Sequence, residues 1–94
     1  MPLETRPWDP AEHLDSDEAM VAYLDAALED SDPAVVVAAL GDIARAKGMT
    51  KLAKDTGLSR ESLYRSLSAD GNPEFATVLK VMTSLGVKLK AEVR

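Results

Sequence analysis

Between Met49 and Ser68 the chain reads MTKLAKDTGLSRESLYRSLS, and its polar side chains are of types that recognise nucleic acid. Arg60 and Arg65 carry planar guanidinium forks that match a guanine edge or a phosphate, with Glu61, Ser62 and Tyr64 between them. Lys51 and Lys54 precede them as point charges suited to a phosphate backbone. Such a set can read bases only if a rigid element holds it. The spacing supplies one, because Ala53 is small enough for two helices to touch at a steep angle. Gly57, four positions later, tolerates the positive φ of a tight turn. Ser59 is placed to cap a second helix, while Leu52, Leu58, Leu63 and Leu67 fall where side chains point inward. The pattern is that of a helix-turn-helix with Arg60 at the start of its recognition helix. An ordinary helical hairpin would need only the glycine; here the small residue, glycine, cap and four apolar positions agree.

Other residues could suggest different chemistry. His13, the only histidine, sits near Glu12, Asp15 and Asp17, a set able to hold a metal or to supply paired catalytic acids. One histidine in an acidic stretch reads more simply as a solvated cluster, and a chain of 94 residues offers little room for a buried acid. No serine nucleophile motif accompanies His13, and cysteine is absent, which excludes disulfides and thiolate metal sites. The expectation is therefore a protein with no catalytic residues, no metal and no cofactor.

The elements that must position the cationic stretch are helical. Pro2 and Pro7 mark residues 1–8 as an extended arm, in which Trp8 would pin the arm to the bundle or to a partner. Asp9-Pro10 is a cap followed by proline and predicts a short helical turn to about Leu14. Ser16 caps a longer helix with Asp17 and Glu18 in its first turn and Met20, Tyr23, Leu24, Ala27 and Leu28 as its apolar stripe. Asp32-Pro33 opens the next helix, running to about Lys47, and Gly48 closes it. Short helices over about 50–56 and 60–67 follow, then a turn at Asp70-Gly71-Asn72-Pro73 and a helix over about 74–85 stopped by Gly86. From Val87 to Arg94 apolar and charged residues alternate, the two-residue repeat of a strand. A lone strand needs a partner, and a second copy of this tail or the arm around Leu3-Glu4-Thr5-Arg6 are the two choices.

The expected fold is all-α: a five-helix bundle containing the helix-turn-helix, with a short C-terminal β-strand. The whole chain, 1–94, reads as one domain. It comprises an arm and short helix (1–15), an acidic helical half (16–47), a DNA-binding region (48–87) and the strand (87–94). Net charge is −5, but residues 1–41 hold ten acids and one base while residues 42–94 hold ten bases and six acids. A basic half can meet phosphate while the acidic half meets a basic protein or simply stays hydrated. No apolar run approaches the roughly 18 residues of a membrane span and no signal-peptide pattern opens the chain, so a cytoplasmic setting is expected.

Two resemblances extend this reading. Gly48–Val87, with Asn72-Pro73 after the recognition helix and Leu85-Gly86-Val87 at the close, resembles the phage-repressor (Cro/lambda-repressor) type of helix-turn-helix domain. The polar Ser66 departs from that pattern, with Leu67 taking the packing role beside it. Nearly the whole chain is similar to the addiction-module antidote proteins. Trp8-Asp9-Pro10-Ala11-Glu12, Ala22-Tyr23-Leu24, Asp32-Pro33-Ala34 and the run Ala38–Ala46 carry the match. Thr56-Gly57-Leu58-Ser59-Arg60-Glu61, Gly71-Asn72-Pro73 and Phe75-Ala76-Thr77-Val78-Leu79 complete it. That resemblance implies an antitoxin that binds a RelE/HigB-type ribonuclease toxin and represses their shared operon. Expected DNA contacts are Lys51, Lys54, Ser59, Arg60, Glu61, Ser62, Tyr64 and Arg65, with Trp8, Asp15, Asp17, Glu18 and Asp25 toward the toxin. One helix-turn-helix reaches one half-site, so a homodimer is expected on operator DNA. A repressor without a toxin, or an interaction module that has lost DNA binding, are the alternatives.

Overall fold

The structure, a computed structural model, describes residues 9–68 and 70–94. Trp8 and the arm before it lie outside the described residues. Four of the helical segments begin where a short polar side chain takes an orphan backbone N–H. Asp9 accepts from Ala11 N at 3.1 Å and opens a 3-10 turn, Pro10–His13. Ser16 accepts from Ala19 N at 3.1 Å and opens α1, Asp17–Leu28. Asp32 accepts from Ala34 N at 3.0 Å and opens α2, Pro33–Lys47. Val35, Val36 and Val37 are helical there, as the cap before them requires.

Gly48, at φ +110°, both ends α2 and starts α3, Met49–Thr56. The remaining helices are α4, Arg60–Ser66, and α5, Phe75–Leu85. Leu40, Ile43, Leu63 and Val81, one or two from each of α2, α4 and α5, are fully buried at the centre. Met20, Leu24, Met49 and Leu52 complete the core from α1 and α3. Gly41 lets the end of α4 approach α2, since a Cβ there would fall on the Leu67 carbonyl oxygen. Leu67 is buried and Ser66 half-buried, so Leu67 takes the packing role.

The tail corrects the sequence expectation: among the described residues there is no strand, and residues 87–94 form none. The first residue of the alternation is already committed elsewhere. Gly86 adopts a left-handed conformation and Val87 N donates to Met82 O at 2.9 Å, closing α5 in a Schellman-like cap. Beyond it no strand among the described residues offers a ladder, and a two-residue period without a ladder is not a strand.

Candidate nucleic-acid interface

The stretch singled out in the sequence folds as α3, a three-residue turn and α4. Lys and Thr side chains keep α3 amphipathic, and its apolar face delivers Leu52 to the core with Ala53 half-buried beside it. At the turn Gly57 sits at φ +75° and ψ 9°, with its N–H donating to Ala53 O at 3.0 Å. Thr56 steadies the same turn. Its hydroxyl donates to Leu52 O at 2.8 Å and accepts from Leu58 N at 3.3 Å. Ser59 then caps α4, accepting from Ser62 N at 3.0 Å, and its hydroxyl donates to Ser62 Oγ at 2.9 Å. Leu63 anchors α4 from inside.

With Leu63 and Leu67 inward, α4 turns Arg60, Glu61, Tyr64 and Arg65 to solvent. Tyr64 is 46% exposed. The Arg60 guanidinium carbon lies 5.9 Å from the Tyr64 ring centre, a cation–π distance that steers the arginine along the helix surface. Ser59 spends its hydroxyl on the cap both as acceptor and as donor, so it shapes the helix start, while Ser62 Oγ accepts from it.

The two lysines of α3 differ. Lys54 is exposed. Lys51 Nζ pairs with Asp55 Oδ2 at 2.8 Å, and the same oxygen accepts from Ser84 Oγ of α5 at 2.9 Å. Hydrogen bonds from Lys51 and then Ser84 hold the Asp55 carboxyl below its ordinary range. Part of the positive charge expected of Lys51 is thus met within the protein.

A second polar group lies behind α4. Arg45, on α2, pairs with Asp9 at 3.0 Å and with Asp42, whose other oxygen accepts the Tyr23 hydroxyl at 2.5 Å. Burial first, then the Asp42 hydrogen bond, push the Tyr23 phenol up to about 12. The Asp9 carboxyl is held low by the Ala11 N–H and then by Arg45. This chain of contacts ties the 3-10 turn and α1 to the end of α2, and Arg45 also lines a cleft with Leu63 and Tyr64 of α4 and with Leu67 just after it.

The acids expected to face a partner do not gather into one cluster. Asp15 precedes α1, and Asp17 pairs with Lys47 of α2 at 2.9 Å. Glu18 and Asp25, both exposed, lie seven residues apart on one face of α1. Trp8 falls outside the described residues. Among the described residues no group of three His, Asp or Glu side chains is placed to hold a metal ion. No helix of the described residues is long and apolar enough to cross a membrane.

Fold and site together define a small all-helical protein that presents a short, arginine-bearing helix to solvent. Residues 4–93 match the family model described as "Probable addiction module antidote protein", and the chain belongs to that family. An uncharacterized protein of Haemophilus influenzae (strain Rd) is 45% identical over 92 residues, spanning 98% of this chain and 95% of that protein. No solved structure matches the chain.

Proposed function

We propose that this chain is a DNA-binding antitoxin that neutralises a RelE/HigB-type ribonuclease toxin and represses the operon encoding both. It acts in the cytoplasm as a homodimer without a cofactor, and its role is regulatory rather than catalytic. The observation that carries the DNA reading is the α3–α4 pair. Gly57 in the left-handed region, Ala53 packed against the core and the Ser59 cap support a rigid helix that carries Arg60, Tyr64 and Arg65 outward. In the phage-repressor arrangement that helix enters the major groove and α3 lies across the backbone, which suits Lys54 and Lys51 to phosphate contacts. The antidote family supports a toxin as partner. The acidic face of α1 complements the basic surface that a ribonuclease needs for RNA, and Asp17, Glu18 and Asp25 are its exposed charges.

Co-expression with the product of the adjacent gene tests this reading. A stable complex that abolishes the neighbour's ribonuclease activity, together with retarded migration of the operon promoter, is the expected result. Promoter binding without any complex would leave a repressor acting alone.

A further inference from the structure

On the side of α2 away from α4, the ends of α1 and α2, the turn before α5 and α5 itself enclose an apolar groove of about 320 Å3. Its lining carries no charged residue; Leu28, Val36, Val78 and Leu89 are representative. Phe75 stands in the same wall and is 62% exposed, and Leu28 and Leu89 of the same lining are also exposed. Side chains of this size leave on the order of 400 Å2 of contiguous apolar surface, at the upper end of what a monomer tolerates.

We propose that a second copy of this chain covers this groove, in a two-fold contact that seats each Phe75 in the partner's groove. Three observations select that occupant. A two-fold interface must be self-complementary, and a projecting ring beside an apolar hollow on one face supplies both halves of such a contact. The patch amounts to about half of the roughly 800 Å2 per partner that a stable interface covers, a large share for one groove. A basic partner would call for acids in the lining, and there are none.

The geometry also leaves α4 free. Val36, Val37 and Leu40 line the groove, whereas Ala38, Gly41 and Arg45 of the same helix line the cleft against α4. These sets are centred roughly 125° apart around α2, so a contact confined to the groove does not cover the cleft against α4. The interface deepens the homodimer assigned above, but its test needs neither DNA nor toxin.

Sedimentation of the full chain at tens of micromolar is the test. The expected mass is twice the 10.1 kDa of one chain, falling to the single-chain mass in Phe75→Glu and in Val36→Glu, with helical circular dichroism retained and the dimer kept in Phe75→Leu. Should Phe75→Glu lose helicity, Phe75→Ser decides in its place, with the monomer expected. A monomeric parent chain, or folded Phe75→Glu and Val36→Glu variants that both remain dimers, overturns the proposal. So does a monomeric parent whose toxin is released by Phe75→Glu, which would assign the groove to the toxin. Arg60→Ala should sediment as the parent does, so loss of DNA recognition and loss of this interface are read separately.

Discussion

Arg60 and Tyr64 lie one helical turn apart on α4, with the guanidinium 5.9 Å from the ring centre and both side chains open to solvent. The ring restricts where the arginine can reach, which lowers the entropy lost when it meets a base edge. Arg60→Ala should therefore cost about 1–3 kcal/mol on the operator and relax preference at one base pair. Tyr64→Ala should give a smaller loss in the same direction. Fluorescence anisotropy on operator variants with single base changes reads both.

Lys51 and Lys54 should behave differently although they share α3. Lys54→Ala should weaken all sequences alike and reduce the salt slope by about one. Lys51→Ala should change that slope less, because Asp55 already meets its charge. Asp55→Asn should release Lys51 and tighten binding at low salt. An Asp55→Asn protein with unaltered salt dependence would show that this ion pair does not compete with phosphate.

Glycine substitutions separate backbone conformation from space. Gly57→Ala meets no atom within 4 Å, so its cost is the left-handed backbone alone, about 1–2 kcal/mol. Gly41→Ala drives a methyl group onto the Leu67 carbonyl oxygen and should cost about 1–3 kcal/mol, or more if α4 is displaced. Urea midpoints measure both. Operator affinity should fall further for Gly41→Ala than stability alone accounts for, because its strain falls on the helix bearing Arg60.

The Tyr23 phenol gives an alkaline signature. Its folded value is about 12, against about 10 for the free side chain, so the fold favours the protonated form. The stabilisation is complete below about pH 10 and is lost as pH rises through about 12. In a Tyr64→Phe background, ultraviolet titration should report Tyr23 alone. Asp42→Asn should lower its midpoint part of the way, burial supplying the remainder. At the acid end the signs reverse. Asp55 is held low, so its contribution is present above the ordinary carboxylate range and fades as pH falls through its folded value.

Much of the helical framework was legible because its signals are local. Asp9, Ser16, Asp32 and Ser59 announce helix starts within three residues of the N–H groups they satisfy, and Gly48, Gly57 and Gly86 stand at the ends. The tail misled for a related reason. Its alternation is local, but a strand is made by a ladder, and Val87 already closes α5. The contacts Tyr23–Asp42, Asp9–Arg45 and Asp55–Ser84 join residues 19, 36 and 29 positions apart. Asp42 and Arg45 at i,i+3 hint at a pair, yet nothing nearby marks Tyr23 or Asp9 as their partners. The apolar groove was hidden likewise, since Leu28, Val36, Phe75 and Leu89 meet only when three helices and the tail are packed.

The measurement closest to the central claim is retardation of the promoter upstream of this gene by the parent chain and by the Arg60, Tyr64 and Arg65 triple alanine variant. All three side chains are exposed, so the variant should keep its helical circular dichroism and its thermal midpoint. The parent chain should shift the promoter in preference to unrelated DNA of equal length, and the variant should lose that preference. A folded triple variant that binds the promoter as tightly and as selectively as the parent would contradict the account.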